Sequence, residues 1–250
     1  MIATKHLLFT TLSLIAASAL GASYDFTSGP ASTNGWQPYA PLSAFGVPAT
    51  FTQSPAGYEL WCAPSPAPTA IGPARVGSVL PLTVTDFSIS FSVMNYNPSL
   101  VEFFGAAARL VNIGLGTTSG YVMGYDNGVD GIFISLVEGE QSQGPLNGTA
   151  YSLIPLVAGD NYQFTFTGYG NSFGGAIYNL GSSTPLATVS GTDSTYASGV
   201  VGLLAASETA SGVADVTFGS FTVVPEPSAL ALLVVGGLAL WAVRRRQAGS

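Results

Sequence analysis

Between Phe87 and Val93 apolar and polar residues alternate without a break: Phe87, Ile89, Phe91 and Val93 against Ser88, Ser90 and Ser92. A period of two puts the apolar set on one face of an extended strand and the serines on the other, which is the pattern of an antiparallel sheet with one solvated side. It predicts a strand over Val84–Tyr96. Tyr162, Phe164 and Phe166 repeat the device against Gln163, Thr165 and Thr167. Apolar runs without clean alternation predict further strands over Val101–Ile113, Gly120–Tyr125, Ile132–Val137, Tyr151–Ile154, Phe173–Asn179, Leu186–Val189, Val200–Ala205 and Val213–Val223, with Gly105–Leu110 open to a strand or a short helical turn. Asp126-Asn127-Gly128 marks a turn, because Asn-Gly accepts the positive φ of tight hairpins. In the last strand the inward phase passes from Val216 and Phe218 to Phe221 and Val223, which predicts a β-bulge near Gly219. Upstream, the pattern gives a short strand at Tyr24–Phe26, a long surface loop to Pro48, a hairpin from Thr50–Gln53 and Gly57–Ala63, and a proline-rich loop over Pro64–Pro73. A dozen or so short strands of this kind predict an all-β fold, a two-sheet antiparallel β-sandwich.

Two segments depart from that pattern. Lys5 and His6 followed by the apolar stretch Leu7–Leu20 and small residues read as a secretory signal peptide over residues 1–22, with cleavage after Ala19, Gly21 or Ala22. At the other end, Ala229–Val243 is an uncharged apolar run that predicts a transmembrane helix, slightly short and extended by Ser228 and the arginine stems. Arg244, Arg245 and Arg246 follow it and hold that end in the cytoplasm. Pro225 and Pro227 confine the helix start to the residues after them. The chain therefore divides into a signal peptide (1–22), a sandwich domain (23–223, loop-rich to about residue 75) and a C-terminal segment (224–250).

Val224-Pro225-Glu226-Pro227-Ser228, the apolar run and the arginine tail, in that order, resemble the PEP-CTERM sorting signal of Gram-negative bacteria. The resemblance implies that an exosortase, a membrane-embedded cysteine protease, recognises Pro225-Glu226-Pro227 and cleaves near it. It further implies an exported protein, anchored in the cytoplasmic membrane until processed, then placed at the cell surface or in a matrix rich in exopolysaccharide. The middle of the chain resembles the concanavalin A-like (laminin G-like) jelly roll, on DFSISFSV (86–93), NYQFTFTGYGNSFGGAIYNL (161–180), ASGVVGLLA (197–205) and VTFGSFTV (216–223). That resemblance implies that the first and last strands pair.

Composition narrows the function. Only 8% of residues are charged, while 47% are apolar, ample for a core. With both end segments removed, Arg75 and Arg109 are the remaining strong cations against twelve acids, a net charge near −10. Nucleic-acid binding needs clustered Lys and Arg and is excluded. Cys62 is the single cysteine, so the chain forms no internal disulfide and no Cys-based zinc site, and its neighbours Leu60 and Trp61 favour burial.

The single histidine, His6, falls in the signal peptide. Ser-His-Asp and Cys-His catalysis and His-ligated metals are thereby excluded from the mature chain. Glu138 and Glu140, on one side of an extended segment, would stand about 7 Å apart, which overlaps the spacing of inverting glycosidases. The related laminarinase-type hydrolases carry Glu-x-Asp-x-x-Glu, however, and the second and third acids are replaced in Glu138-Gly139-Glu140-Gln141-Ser142-Gln143. The stretch reads instead as a solvated loop after Val137. Asp126 and Asp130 share the acid spacing of a calcium loop, but Gly128 and Val137 stand where ligands should be, so the pair is at most a loose calcium candidate and no cofactor is expected. Trp36, Trp61, Tyr121, Tyr125 and Tyr169 are candidate sugar-stacking rings. The expectation is a non-catalytic structural or adhesive protein with extracellular polysaccharide as a partner; the alternative is a carboxylate-dependent glycan hydrolase or lyase.

Overall fold

A computed structural model of the protein describes residues 21–146 and 151–225. The strands are β1 (Ala22–Asp25), β2 (Gln37–Tyr39), β3 (Ala49–Ser54), β4 (Gly57–Cys62), β5 (Arg75–Val84), β6 (Phe87–Tyr96), β7 (Glu102–Val111) and β8 (Ser119–Asp126). They continue with β9 (Gly131–Glu138), β10 (Gln141–Pro145), β11 (Ser152–Leu153), β12 (Tyr162–Tyr169), β13 (Ser172–Asn179), β14 (Ala187–Thr192), β15 (Gly199–Ser207) and β16 (Ala214–Pro225). One sheet runs β14-β13-β12-β6-β16-β4-β3, with β1 beside β16; the other runs β10-β9-β8-β7-β15-β5-β2, with β11 beside β9. All pairings are antiparallel. The protein is a two-sheet β-sandwich of the jelly-roll kind.

The inward sets of both sheets meet in one core. Phe87, Ile89 and Phe91 of β6 and Phe164 and Phe166 of β12 are fully buried, and the rings of Phe91 and Phe164 stack 4.9 Å apart. Phe221 and Phe218 of β16 join them from the other side of the bulge, where the register skips from Phe218 to Ser220. The skipped residue is Gly219, and a Cβ there would meet Met94 Cγ at 2.5 Å, so a larger residue would have to displace the Met94 side chain. The first and last strands pair, Ala22 opposite Val223 and Asp25 opposite Ser220.

Several expectations change. Gly105–Leu110 belongs to β7 and holds no helical turn. The stretch from Phe26 to Pro48 is not a plain surface loop: short 3₁₀ turns at Pro30–Thr33 and Pro41–Phe45 and strand β2 pin it down, and Trp36, Leu42 and Val47 are buried. β5 and β10 went unforeseen, because RVGSVLPLTV has no alternation to read and QSQGP has no apolar face. The expected signal helix and the transmembrane helix over 229–243, with Arg244, Arg245 and Arg246, lie outside the described residues. Among the described residues no helix is long and apolar enough to cross a membrane.

Arg109 fastens one end of the sandwich. It is 1% exposed and has φ 52° at an irregularity of β7. Its guanidinium donates to the carbonyls of Thr85 (2.8 Å), Tyr196 (3.1 Å) and Gly170 (2.8 Å), and lies 4.9 Å from the centre of the Phe173 ring. Asp86 Oδ1, 3.7 Å away, balances the charge. Three separate connections are thus tied to one side chain.

Candidate functional site

The outer face of the second sheet is apolar. Phe103, Ala107 and Leu110 of β7, Val122 of β8 and Phe133 of β9 form a cluster separate from the main core, with Val137, Tyr151, Val200 and Leu204 packed against it. On β7 the inward set is Phe104, Ala106 and Ala108, so both faces of the strand are apolar and the alternation disappears from the sequence. Phe133 is held between two rings, Phe103 at 5.0 Å and Tyr151 at 4.7 Å. Over this face lies a groove of about 420 Å³, lined by all of these residues but Val200 and also by Tyr39, Arg75, Thr118, Glu140, Ser142 and Glu208. An apolar sheet face bordering a groove with a polar rim is the kind of feature that a binding surface uses.

A latch spans one side of the groove. Gly139 and Glu140 both have positive φ (57° and 67°), which makes them the two-residue turn between β9 and β10. That turn sends the Glu140 side chain to Arg75 of β5, with Oε2 2.7 Å from Nη2. Glu140 also accepts the Tyr39 hydroxyl proton of β2 and, at 2.5 Å, the Gly116 backbone N–H. Tyr39 in turn accepts from Thr118 Oγ1 (2.8 Å), which accepts the Gly114 N–H (2.9 Å), so the loop between β7 and β8 is drawn in as well. Burial first, and the hydrogen bond to Glu140 second, push the Tyr39 hydroxyl up.

Acids gather at the far side. Asp126, 2% exposed, accepts the N–H groups of Gly128 (2.8 Å) and Val129 (3.3 Å). The Glu208 carboxyl leans on it and is pushed up to about 7, by burial and then by the Asp126 charge. Burial and the same two acids raise the Tyr151 hydroxyl. Behind them Glu102 is fully buried: Oε2 accepts the Asp215 N–H at 2.8 Å, Oε1 has no partner, and burial pushes the group up to about 8.

The structure separates the other residues singled out in the sequence. Trp36 is 7% exposed and packs edge-on against Phe221 at 4.9 Å; Tyr121 and Tyr125 are 0% and 1% exposed and face the main core. These three rings are interior and have no face for a sugar. Tyr121 and Tyr125 use their hydroxyls within the protein, donating to Asp193 (2.5 Å) and Asp130 (2.9 Å). Trp61 is half-buried on β4 and Tyr169 is exposed at the end of β12. Asp126 and Asp130 serve turn N–H groups and the Tyr125 hydroxyl, and among the described residues no group of three His, Cys, Asp or Glu side chains could hold a metal ion. Glu138 ends β9 and Glu140 sits within the tight turn that follows, so the two do not share one side of an extended segment, and the Glu140 side chain, 6% exposed, is no solvated loop residue. Cys62 is buried and free. Pro225 is the last residue of β16, while Glu226 and Pro227 lie outside the described residues. Phe103, Phe133, Tyr151 and Leu204 were missed as site residues. The absence of alternation in an antiparallel protein was the one available signal.

No curated protein matches the chain. Similar solved structures include the carbohydrate-binding module CBM66 from Bacillus subtilis (13% identity, 74% of this chain and 91% of that one, TM-score 0.53). A protein of unknown function with a galectin-like fold from Bacillus subtilis is also similar (12% identity, 82% and 94%, TM-score 0.52). So is the exoplasmic/lumenal domain of VIP36 in a Ca²⁺/Man2-bound form (8% identity, 82% and 87%, TM-score 0.55). At such identities the likeness speaks for the fold alone. A family model described as the PEP-CTERM protein-sorting motif matches residues 223–246. This chain therefore carries the PEP-CTERM protein-sorting motif directly behind a domain of the lectin-type, concanavalin A-like jelly-roll fold.

Proposed function

We propose that this is an exported, non-catalytic binding module, sorted by an exosortase to the cell surface or extracellular matrix, which holds a neutral glycan chain in the groove on the outer face of its second sheet. The observation that carries the reading is the groove: an apolar floor with Tyr151 at its side and polar groups at its rim. Sugars present alternating apolar C–H faces and hydroxyl edges, and such a cleft suits both. Charge narrows the ligand. Arg75 is paired with Glu140 and Arg109 is buried, so among the described residues no cation is left to meet a uronate or sulfate, and the acids at the far rim repel one. The turn at Gly139-Glu140 commits Glu140 to the latch and speaks against a hydrolytic carboxylate pair.

The test is calorimetric titration of the mature exported protein with neutral and with uronic oligosaccharides. A neutral chain is expected to bind, Tyr151→Ala to weaken it at least about tenfold, as loss of a stacking ring does, and uronic chains to give no heat. Binding confined to uronic chains, or neutral-chain binding unmoved by Tyr151→Ala, would falsify the proposal.

A further inference from the structure

The first residue of the sorting tripeptide is also the last residue of the closing strand. β16 runs to Pro225, which stands opposite Phe87 of β6. Ser220 to Val223 are paired on both edges and Val224 on one. β6 takes Ser220 to Pro225, from Ser220 opposite Ser92 onward, and β1 takes Ser220 to Val223 on the other side. Phe221 and Val223 are fully buried. The Ser23 and Thr222 hydroxyls meet at 2.9 Å across the β1–β16 ladder, and a Cβ on Gly21 would lie 2.4 Å from Val223 O, so the N-terminal strand presses closely on this stretch.

Proteolytic clefts take their substrates as extended strands through main-chain hydrogen bonds, which need a free edge. From Ser220 to Val223 both edges are occupied, and Val224 is held on the β6 side. We infer that the jelly roll brakes its own sorting: a protease reading Pro225-Glu226-Pro227 reaches the residues before the tripeptide only when the end of β16 unpairs from β1 and β6. β1 is the shorter clamp at four residues, so its opening comes first. The reaction is hydrolysis of a peptide bond. The protease thiolate attacks the carbonyl, the downstream amine leaves with a proton, and water releases the upstream acyl group as a carboxylate. The inference rests on the sorting reading given above.

The test follows processing of the full-length chain by pulse-chase and mass spectrometry in a host that has an exosortase. Inserting Gly-Ser-Gly-Ser between Val224 and Pro225 moves the intact tripeptide off the sheet and is expected to speed processing about fivefold, the effect of relieving one hydrogen bond's worth of opening. Ser23→Cys with Thr222→Cys staples β1 to β16 and is expected to slow processing by a similar factor, with the wild-type rate returning on reduction. Glu226→Ala should abolish processing in every background. If Glu226→Ala blocks processing but spacer and staple both leave the rate unchanged, the brake is wrong and the sorting reading stands. If neither the wild type nor the spacer variant is processed, the sorting reading fails and the brake with it.

Discussion

The two sheets share one core, yet their outer faces differ in kind. The first presents Ser88, Ser90 and Ser92 beside Gln163, Thr165 and Thr167, and these groups bond across strands: Gln163 Nε2 donates to Ser90 Oγ at 2.7 Å, and Ser92 and Ser220 hydroxyls meet at 2.8 Å. The second presents Phe103, Ala107, Leu110, Val122 and Phe133. A hydroxyl ladder is content in water, whereas an apolar outer face needs an occupant. In this fold the proposed binding surface lies on the sheet whose sequence fails to alternate.

The sharpest way to break that contrast is to empty the apolar face. Phe133→Ala removes the ring between Phe103 and Tyr151 and is expected to cost about 2–4 kcal/mol in a urea titration. A cost below about 0.5 kcal/mol, the usual range of a surface change, would make the two faces energetically alike.

Next is the latch. Glu140→Gln leaves the Arg75 charge, 16% exposed, without its partner and frees the loop held through Gly116 and Tyr39. Because the pair is not wholly buried, about 1–3 kcal/mol is expected rather than the full cost of stripping a buried ion pair. Glycan affinity should fall with it, and unchanged stability in thermal melts would show the latch to be idle.

The apolar sheet also buries an acid. Glu102 is held up to about 8 in the folded protein, against an ordinary value of 4.5. Between those values the folded state keeps a proton that the unfolded state has released, so stability falls as pH rises through the window and levels off above it. Glu208, held up to about 7, adds in the same direction. Glu102→Gln is expected to flatten the slope and to raise stability at pH 8 by about 1 kcal/mol, since the amide carries no charge to desolvate. Melting temperatures from pH 5 to pH 9 check this; parallel profiles for both proteins would refute it.

The smallest effect belongs to the hydroxyl face. Ser90→Ala loses one half-solvated bond from Gln163 and should move the urea midpoint by no more than about 0.5 kcal/mol equivalent. A larger loss would mean that the serine ladder is more than a wet surface.

What the sequence made legible follows the same divide. β6 and β12 could be read residue by residue, because one face of each is wet, and the bulge at Gly219 was visible as a phase change in β16. β5, β7, β8, β9 and β15 are apolar on both faces, so their existence was partly legible but not which side chains face out, and the groove could not be assembled from them. Aromatic residues were the visible candidates, and Trp36, Tyr121 and Tyr125 proved to be core because a tyrosine hydroxyl or an indole can be buried once the rest of the ring packs. The latch was illegible for another reason. Arg75, Glu140 and Tyr39 are far apart in the chain and meet only through tertiary structure.

The use of both arginines inside the domain has a consequence for survival outside the cell. Residues 23–223 contain no lysine, and their two arginines are Arg75 and Arg109. Enzymes of the trypsin type cut after these residue types and must draw the side chain into a pocket. Arg109 is 1% exposed and bonded to three carbonyls, and Arg75 is clamped by Glu140. While folded, the domain offers such a protease no free side chain to seize, so cleavage of this type waits on opening of the fold.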